Sequence, residues 1–219
     1  MWVFAPRALQ RFDVLPVREV SVVGVKYLAP DAVVAALRLG PKASLFENGD
    51  VLAARVRELN GVAEATIRRR LPGTLEIRVR EVDPAALVPQ GRGGALVVVD
   101  AKGRALPFDP ERAQLDLPVV ATRDSGVVAV LALVQSVDPG LFQTITGARA
   151  IARGDVLLEC GSYHVLLRRD ALPGDVRAVT VVTQDLAAKG RTYAELDARF
   201  EGQVVVRGPA RAAASGRGL

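Results

Sequence analysis

The sequence of 219 residues predicts an α+β protein in two parts. A strand–helix–helix–strand–strand module over residues 17–82 is followed by a mixed, mainly antiparallel β-rich domain with flanking helices over 83–207. Three observations carry this reading. Thr74–Arg80 alternates: Leu75, Ile77 and Val79 face in, while Thr74, Glu76, Arg78 and Arg80 face out. Two stretches ahead of it repeat apolar residues at helical spacing. Asp83-Pro84 then interrupts the chain, because the residue before proline is pushed out of helix and proline breaks a ladder.

The elements follow in order. In Val17–Gly24, Val20 and Val22 alternate with Glu19 and Ser21, the period of a half-buried strand that Gly24 ends. Pro30 sits in a helix's first turn, where its missing N–H costs nothing. Val33, Val34 and Leu37 form that helix's apolar face, and Gly40-Pro41 stops it. Asp50 is the expected N-cap of a second helix carrying Leu52, Val56 and Leu59, with Gly61 as its C′ residue. Val62–Arg70 and Thr74–Arg80 form a hairpin through Leu71-Pro72-Gly73. Ala65 and Ile67 add to its inner face, and the two helices cover the three strands.

In the second part, Ala85–Val88 and Ala95–Val99 read as paired strands around Gly91–Gly94. Asp100–Gly103 is a turn, and Arg104–Pro107 resumes the pairing. Asp124 or Ser125 caps a helix through Val130, Leu133, Val134 and Val137, which Pro139-Gly140 ends. Val156–Cys160 and Tyr163–Leu167 make a hairpin around Gly161-Ser162. Asp175–Lys189 is a helix with Val176, Val179, Thr183 and Leu186 on one face and Gly190 as its cap. Leu196–Phe200 and Gln203–Arg207 are strands joined by Glu201-Gly202. The Ala-, Gly- and Arg-rich stretch 208–219 has no periodicity and is expected to be a disordered tail.

Composition narrows the function. Apolar residues make up 50% and charged residues 24% of the chain, an ordinary globular balance. The net charge of +5 is mild. The run Arg68-Arg69-Arg70 ends a strand without nearby aromatics, which reads as a solvated strand end and not a nucleic-acid site. Cys160 is the only cysteine and reads as a buried structural thiol. His164 is the only histidine and has no second histidine to share a metal. No phosphate-binding glycine loop and no Gly-x-Ser-x-Gly elbow is present, so neither an enzyme nor a cofactor is expected. Trp2–Ala5 falls far short of the roughly 20 apolar residues of a membrane span.

Several motifs resemble one family. They are Val20-x-Val22-x-Gly24, Leu45-x-x-x-x-Asp50, Gly61-Val62-x-x-Ala65-x-Ile67-x-Arg69 and Leu71-Pro72-x-Thr74-Leu75-x-Ile77-x-Val79-x-Glu81. Together they resemble the POTRA module, and more narrowly that of the FtsQ/DivIB family of bacterial cell-division proteins. The resemblance continues through Leu96–Gly103, Leu117–Val120 and Leu196–Phe200, and is weak over 108–150. Two departures stand out. Glu81-Val82-Asp83-Pro84-Ala85-Ala86 loses the family's Arg after Glu, and Ala198 replaces the usual Leu.

The resemblance implies a non-catalytic scaffold on the outer face of the bacterial cytoplasmic (inner) membrane, linking early and late division proteins during septum formation. The POTRA module would serve recruitment. The β domain would bind a coiled-coil partner of the FtsB/DivIC type, itself joined to an FtsL-type protein, through Phe200, Gly202, Gln203, Val204, Val205, Val206 and Arg207. The plainer reading of those residues is a hairpin closing the sheet with Phe200 in the core. The family also carries a short cytoplasmic tail and one membrane helix before the POTRA module. This sequence lacks both, so residues 1–16 read as a membrane-proximal connector. Trp2–Ala5 is either the last turn of that helix, with Arg7 and Arg11 at the headgroups, or a frayed terminus. The rival function is a POTRA-type docking or chaperone protein of an outer-membrane or secretion assembly.

Overall fold

The structure, a computed structural model, describes residues 15–91, 94–111 and 113–208. Trp2–Ala5, Arg7, Arg11 and the expected tail beyond Gly208 lie outside the described residues. The chain divides into two compact units. One runs to Asp83 and takes in Leu106–Ala113; the other comprises Pro84–Ala105 and the residues from Gln114 onward.

The first unit has the expected element order: β1 (Glu19–Val23), α1 (Pro30–Ala36), α2 (Gly49–Arg57), β2 (Val62–Arg70) and β3 (Thr74–Glu81). β3 is central, parallel to β1 and antiparallel to β2. Leu75, Ile77 and Val79 are buried with Val33, Leu37, Leu52 and Val56, so the helices cover the predicted face. Gly24 ends β1 at φ 89°, and a Cβ there would stand 2.2 Å from the Val79 carbonyl oxygen.

Four local expectations are corrected. α1 ends before Gly40-Pro41: Leu37 caps it and Arg38 turns left-handed at φ 50°. The N-cap of α2 is Asn48 and not Asp50, since Asn48 Oδ1 accepts from the Asp50 and Val51 N–H groups at 3.0 and 3.4 Å. Either residue type can cap; Asp50 is left in the first turn, where its charge suits the helix dipole. Gly61 is not a helix cap either. α2 closes at Glu58, and Gly61, at φ 92°, turns the chain into β2. Glu76 points away from the helices yet is buried, because Arg70 and Arg78 close over it at 2.5 and 2.8 Å.

Two contacts tie this unit's loops down. The Glu81 carboxylate accepts hydrogen bonds from the N–H groups of Lys26, Tyr27 and Leu28 at 3.0, 3.1 and 2.8 Å. The ring of buried Phe108 lies 5.1 Å from that of Tyr27, on the segment borrowed from later in the chain.

The described residues of the second unit build an eight-stranded sheet. Its strands are β4 (Pro84–Gln90), β5 (Ala95–Asp100), β6 (Val119–Val120), β7 (Gly147–Ala150), β8 (Val156–Cys160), β9 (Tyr163–Leu167), β10 (Glu195–Phe200) and β11 (Gln203–Arg207). The spatial order is β11-β10-β9-β8-β7-β6-β4-β5. β4–β6, β6–β7 and β9–β10 are parallel and the other pairs antiparallel, the expected mixed, mainly antiparallel sheet. The helices α3 (Ser125–Val137), α4 (Pro139–Thr144) and α5 (Pro173–Ala188) pack on one face. Alternate strand residues, among them Ala86, Val88, Val156, Leu158, Cys160, Val165, Leu167 and Leu196, form the core with Val128, Leu131, Val134, Val176 and Val179.

Helix signals here mostly match. Asp124 Oδ1 caps α3. Arg191 N–H bonds the Leu186 carbonyl and Gly190 N–H that of Ala187, the paired closure of a Schellman motif around Gly190. α4 and β7 are additions to the sequence reading: Pro139 both follows α3 and opens α4. α5 starts at Pro173, two residues before Asp175, whose carboxylate reaches back to the Leu172 N–H. Arg104–Pro107 resumes pairing only through Ala105 opposite Val99. Cys160 is buried, and burial pushes its thiol up to about 11, so it is a packed group and not a nucleophile.

Candidate functional site

The hairpin β10–β11 closes the sheet, and β11 is its edge strand. Its turn, Glu201-Gly202, has Gly202 at φ 68°. That left-handed conformation favours glycine.

Register decides what the edge displays. Leu196 lies opposite Val206 and Asp197 opposite Val205, while Phe200 lies opposite Gln203. Between Asp197 and Phe200 the strand β10 has one residue more than β11, a bulge. Leu196 and Ala198 face the helices and are core residues. The bulge shifts the alternation, so Phe200 falls on the other face with Asp197, Gln203 and Val205. Phe200 is therefore 50% exposed and is not a core residue. Val205 and Val206 are 40% and 38% exposed, and Val204 packs partly against the core.

The backbone adds a second display. Ala194 N–H donates to the Arg207 carbonyl at 2.9 Å, so that carbonyl points towards β10. In an antiparallel pair the N–H and C=O of one residue point to the same side, and successive residues alternate. Arg207, Val205 and Gln203 thus turn their backbone groups towards β10. Val204 and Val206 turn theirs away from the sheet.

Charges lock the register. Asp197 has a buried side chain on the face away from the helices. Arg199 grips it with Nε on Oδ1 at 2.8 Å and Nη2 on Oδ2 at 2.7 Å, and reaches Asp155 Oδ2 through Nη1 at 3.0 Å. Arg207, on β11, pairs with Glu195 and lies 3.4 Å from Asp197 Oδ2. The hydrogen bonds from Arg199 hold the Asp197 carboxyl below the usual carboxylate range. This network spans β10, β11 and the start of β8. The sequence motif Asp197-Ala198-Arg199 contained two of its members; Asp155 and Glu195 carried no sequence signal.

Phe200 and Gly202–Arg207 thus lie together on one hairpin at one sheet edge. The chemistry available there is recognition: backbone donors and acceptors beside exposed apolar side chains. Among the described residues, no three His, Cys, Asp or Glu side chains come together to hold a metal. No helix of the described residues is long and apolar enough to cross a membrane.

The profile of the FtsQ-type POTRA domain matches residues 15–81. The chain is similar to the cell division protein FtsQ of Cereibacter sphaeroides, at 32% identity over 195 residues, covering 85% of this chain and 61% of that protein. It is also similar to the cell division protein FtsQ of Anaeromyxobacter sp. (strain K), at 36% identity over 113 residues, covering 49% of this chain and 36% of that protein. The chain thus spans less than two thirds of the length of each relative.

Proposed function

This chain is a homologue of the bacterial cell-division FtsQ/DivIB family, with an FtsQ-type POTRA domain fused to a β-rich domain, and from that premise we propose that it acts as a non-catalytic divisome scaffold. It works on the extracytoplasmic face of the inner membrane, at the septum, and links early division proteins to late ones. The β-rich domain binds a coiled-coil partner of the FtsB/DivIC type, joined to an FtsL-type protein, by adding a partner strand to β11.

The observation that supports the binding mode is the edge itself. Among the described residues β11 has one strand neighbour, and the alternation set by Arg207 turns the Val204 and Val206 backbone groups outwards. A strand added there would gain ladder hydrogen bonds from those groups and side-chain contacts from Phe200 and Val205. Arg207 is held by Glu195 and Asp197, so the edge is ordered before a partner arrives.

The cellular role is tested by depleting the protein in its own host while imaging a fluorescent fusion. The reading expects midcell enrichment of the fusion and filamentous cells on depletion. Uniform envelope fluorescence with normal division would refute it.

A further inference from the structure

A second feature of the β-rich unit lies outside the hairpin. A cleft of about 260 Å³ opens between α4, α5 and the start of β9. Its lining includes Asp138, Leu141, Thr144, Tyr163, Thr180 and Thr183. That volume lies below the roughly 300–1,000 Å³ of typical small-molecule sites, so it suits one side chain or a small fragment.

The hydrogen-bond inventory gives the cleft a definite sign. A threonine hydroxyl has one proton to donate and two lone pairs to accept with. Each of the three protons is already committed within the protein. Thr144 Oγ1 donates to the Leu141 carbonyl at 2.7 Å, and Thr183 Oγ1 to the Val179 carbonyl at 2.8 Å. Thr180 Oγ1 lies 2.6 Å from Asp138 Oδ2 and 3.1 Å from the Val176 carbonyl, both acceptors. What Thr180 and Thr183 can still offer is acceptance; Thr144 Oγ1 is also engaged with the Tyr163 hydroxyl and the Cys160 thiol.

Asp138 adds the charge. One oxygen accepts from the Leu141 N–H at 2.9 Å, capping α4, and the other takes the Thr180 hydroxyl. These bonds hold the carboxyl below its ordinary range, Thr180 first among the causes. No lysine or arginine lines the cleft, and Asp138 has no ion-pair partner among the described residues. Gln184 is the one lining side chain that carries N–H donors, and its exposed amide can present oxygen instead. Leu141 supplies an apolar wall for an alkyl stem.

We propose that this cleft is a binding site for a primary ammonium on an alkyl stem, the chemistry of a lysine side chain from a partner or of a free alkylamine. The ammonium has three donors and no acceptor, the complement of hydroxyls whose protons are spent beside an unpaired carboxylate.

The test is an amide NMR titration of the full chain with three probes: N-acetyl-lysine methylamide, n-butylammonium and N-acetyl-norleucine methylamide. The proposal expects saturable shifts at Leu141 and Thr180 with the first two and none with norleucine. Tighter binding of blocked lysine than of butylammonium points to a peptide source, and equal binding to the ammonium group alone. Asp138→Asn keeps a capping oxygen but removes the charge, and should weaken binding at least tenfold. Thr183→Val removes one acceptor from α5 without touching that cap, and should weaken binding several-fold even if the Asp138 variant folds poorly. Equal shifts with norleucine, saturation by calcium ions alone, or no saturable shift with either ammonium would overturn the proposal.

Discussion

Asp197 and Arg199 form a two-pronged ion pair within one strand, with the carboxylate buried and the guanidinium at the protein surface. The pair straddles the bulge that sends Phe200 away from the core. Replacing Asp197 by Asn leaves Arg199 short of its partner and should cost about 2–3 kcal/mol, in the range of charged hydrogen bonds. The pH dependence has a definite sign. The folded-state pKa is depressed, so the stabilisation is fully present above the unfolded value near 4 and is lost as pH falls through the lower folded value. Urea midpoints of parent and Asp197→Asn should therefore differ by a constant amount from pH 7 to about 4 and converge below it. A gap that stays constant down to pH 2 would contradict this.

Phe108 closes the first unit from outside its continuous stretch. An added Cβ on Gly61 would stand 3.0 Å from Phe108 Cε1. Phe108→Ala should cost about 3 kcal/mol, as other core Phe truncations do, and should do so in that unit. Residues 17–82 alone should still fold, because they close their own apolar surface, but with lower stability than in the full chain. Amide exchange on both proteins reads this out; equal protection of the β3 amides would mean that Phe108 contributes nothing.

Glu81 is the next test. Its carboxylate satisfies three successive N–H groups of the loop before α1. Glu81→Ala should destabilise the unit by about 1–3 kcal/mol, chiefly the cost of leaving the buried Leu28 N–H unsatisfied. Exchange at Lys26–Leu28 should accelerate more than at Leu75–Val79. Uniform acceleration of both segments would show that Glu81 acts on the fold as a whole and not on the loop.

How far the sequence reads depends on what each residue answers to. Leu75, Ile77 and Val79, and the hairpin turn Glu201-Gly202, obey local rules of alternation and turn chemistry, so they are legible. Asn48 and Asp50 are equivalent by local rules, and only the path of the incoming chain chooses Asn48. Phe108 and Ala105 go to different units although they are three residues apart, which no periodicity records. Glu76 alternates as an exposed residue and is buried by two arginines. At the candidate site, the strand–turn–strand over residues 196–207 was legible from its alternation and its glycine turn, while its edge position was an expectation that came with the family resemblance. The exposure of Phe200 was not legible, because it depends on a bulge set by the pairing of Asp197 with Val205.

The central claim is strand addition at β11, and two proline variants test it most directly. Proline removes one N–H. The Val205 N–H points towards β10 and that of Val204 points outwards, by the alternation that the Arg207 carbonyl sets. Val205→Pro should lower the melting temperature of the isolated protein. Val204→Pro should leave folding nearly intact, while Val204→Ser controls for the lost side chain, which packs partly on the core. The measurement is the affinity of each variant for the FtsB/DivIC-type partner of the same organism, by titration calorimetry. The account predicts that Val204→Pro binds at least tenfold more weakly than Val204→Ser, about 1.4 kcal/mol, with matching melting temperatures. Equal affinities for the two would contradict strand addition at this edge.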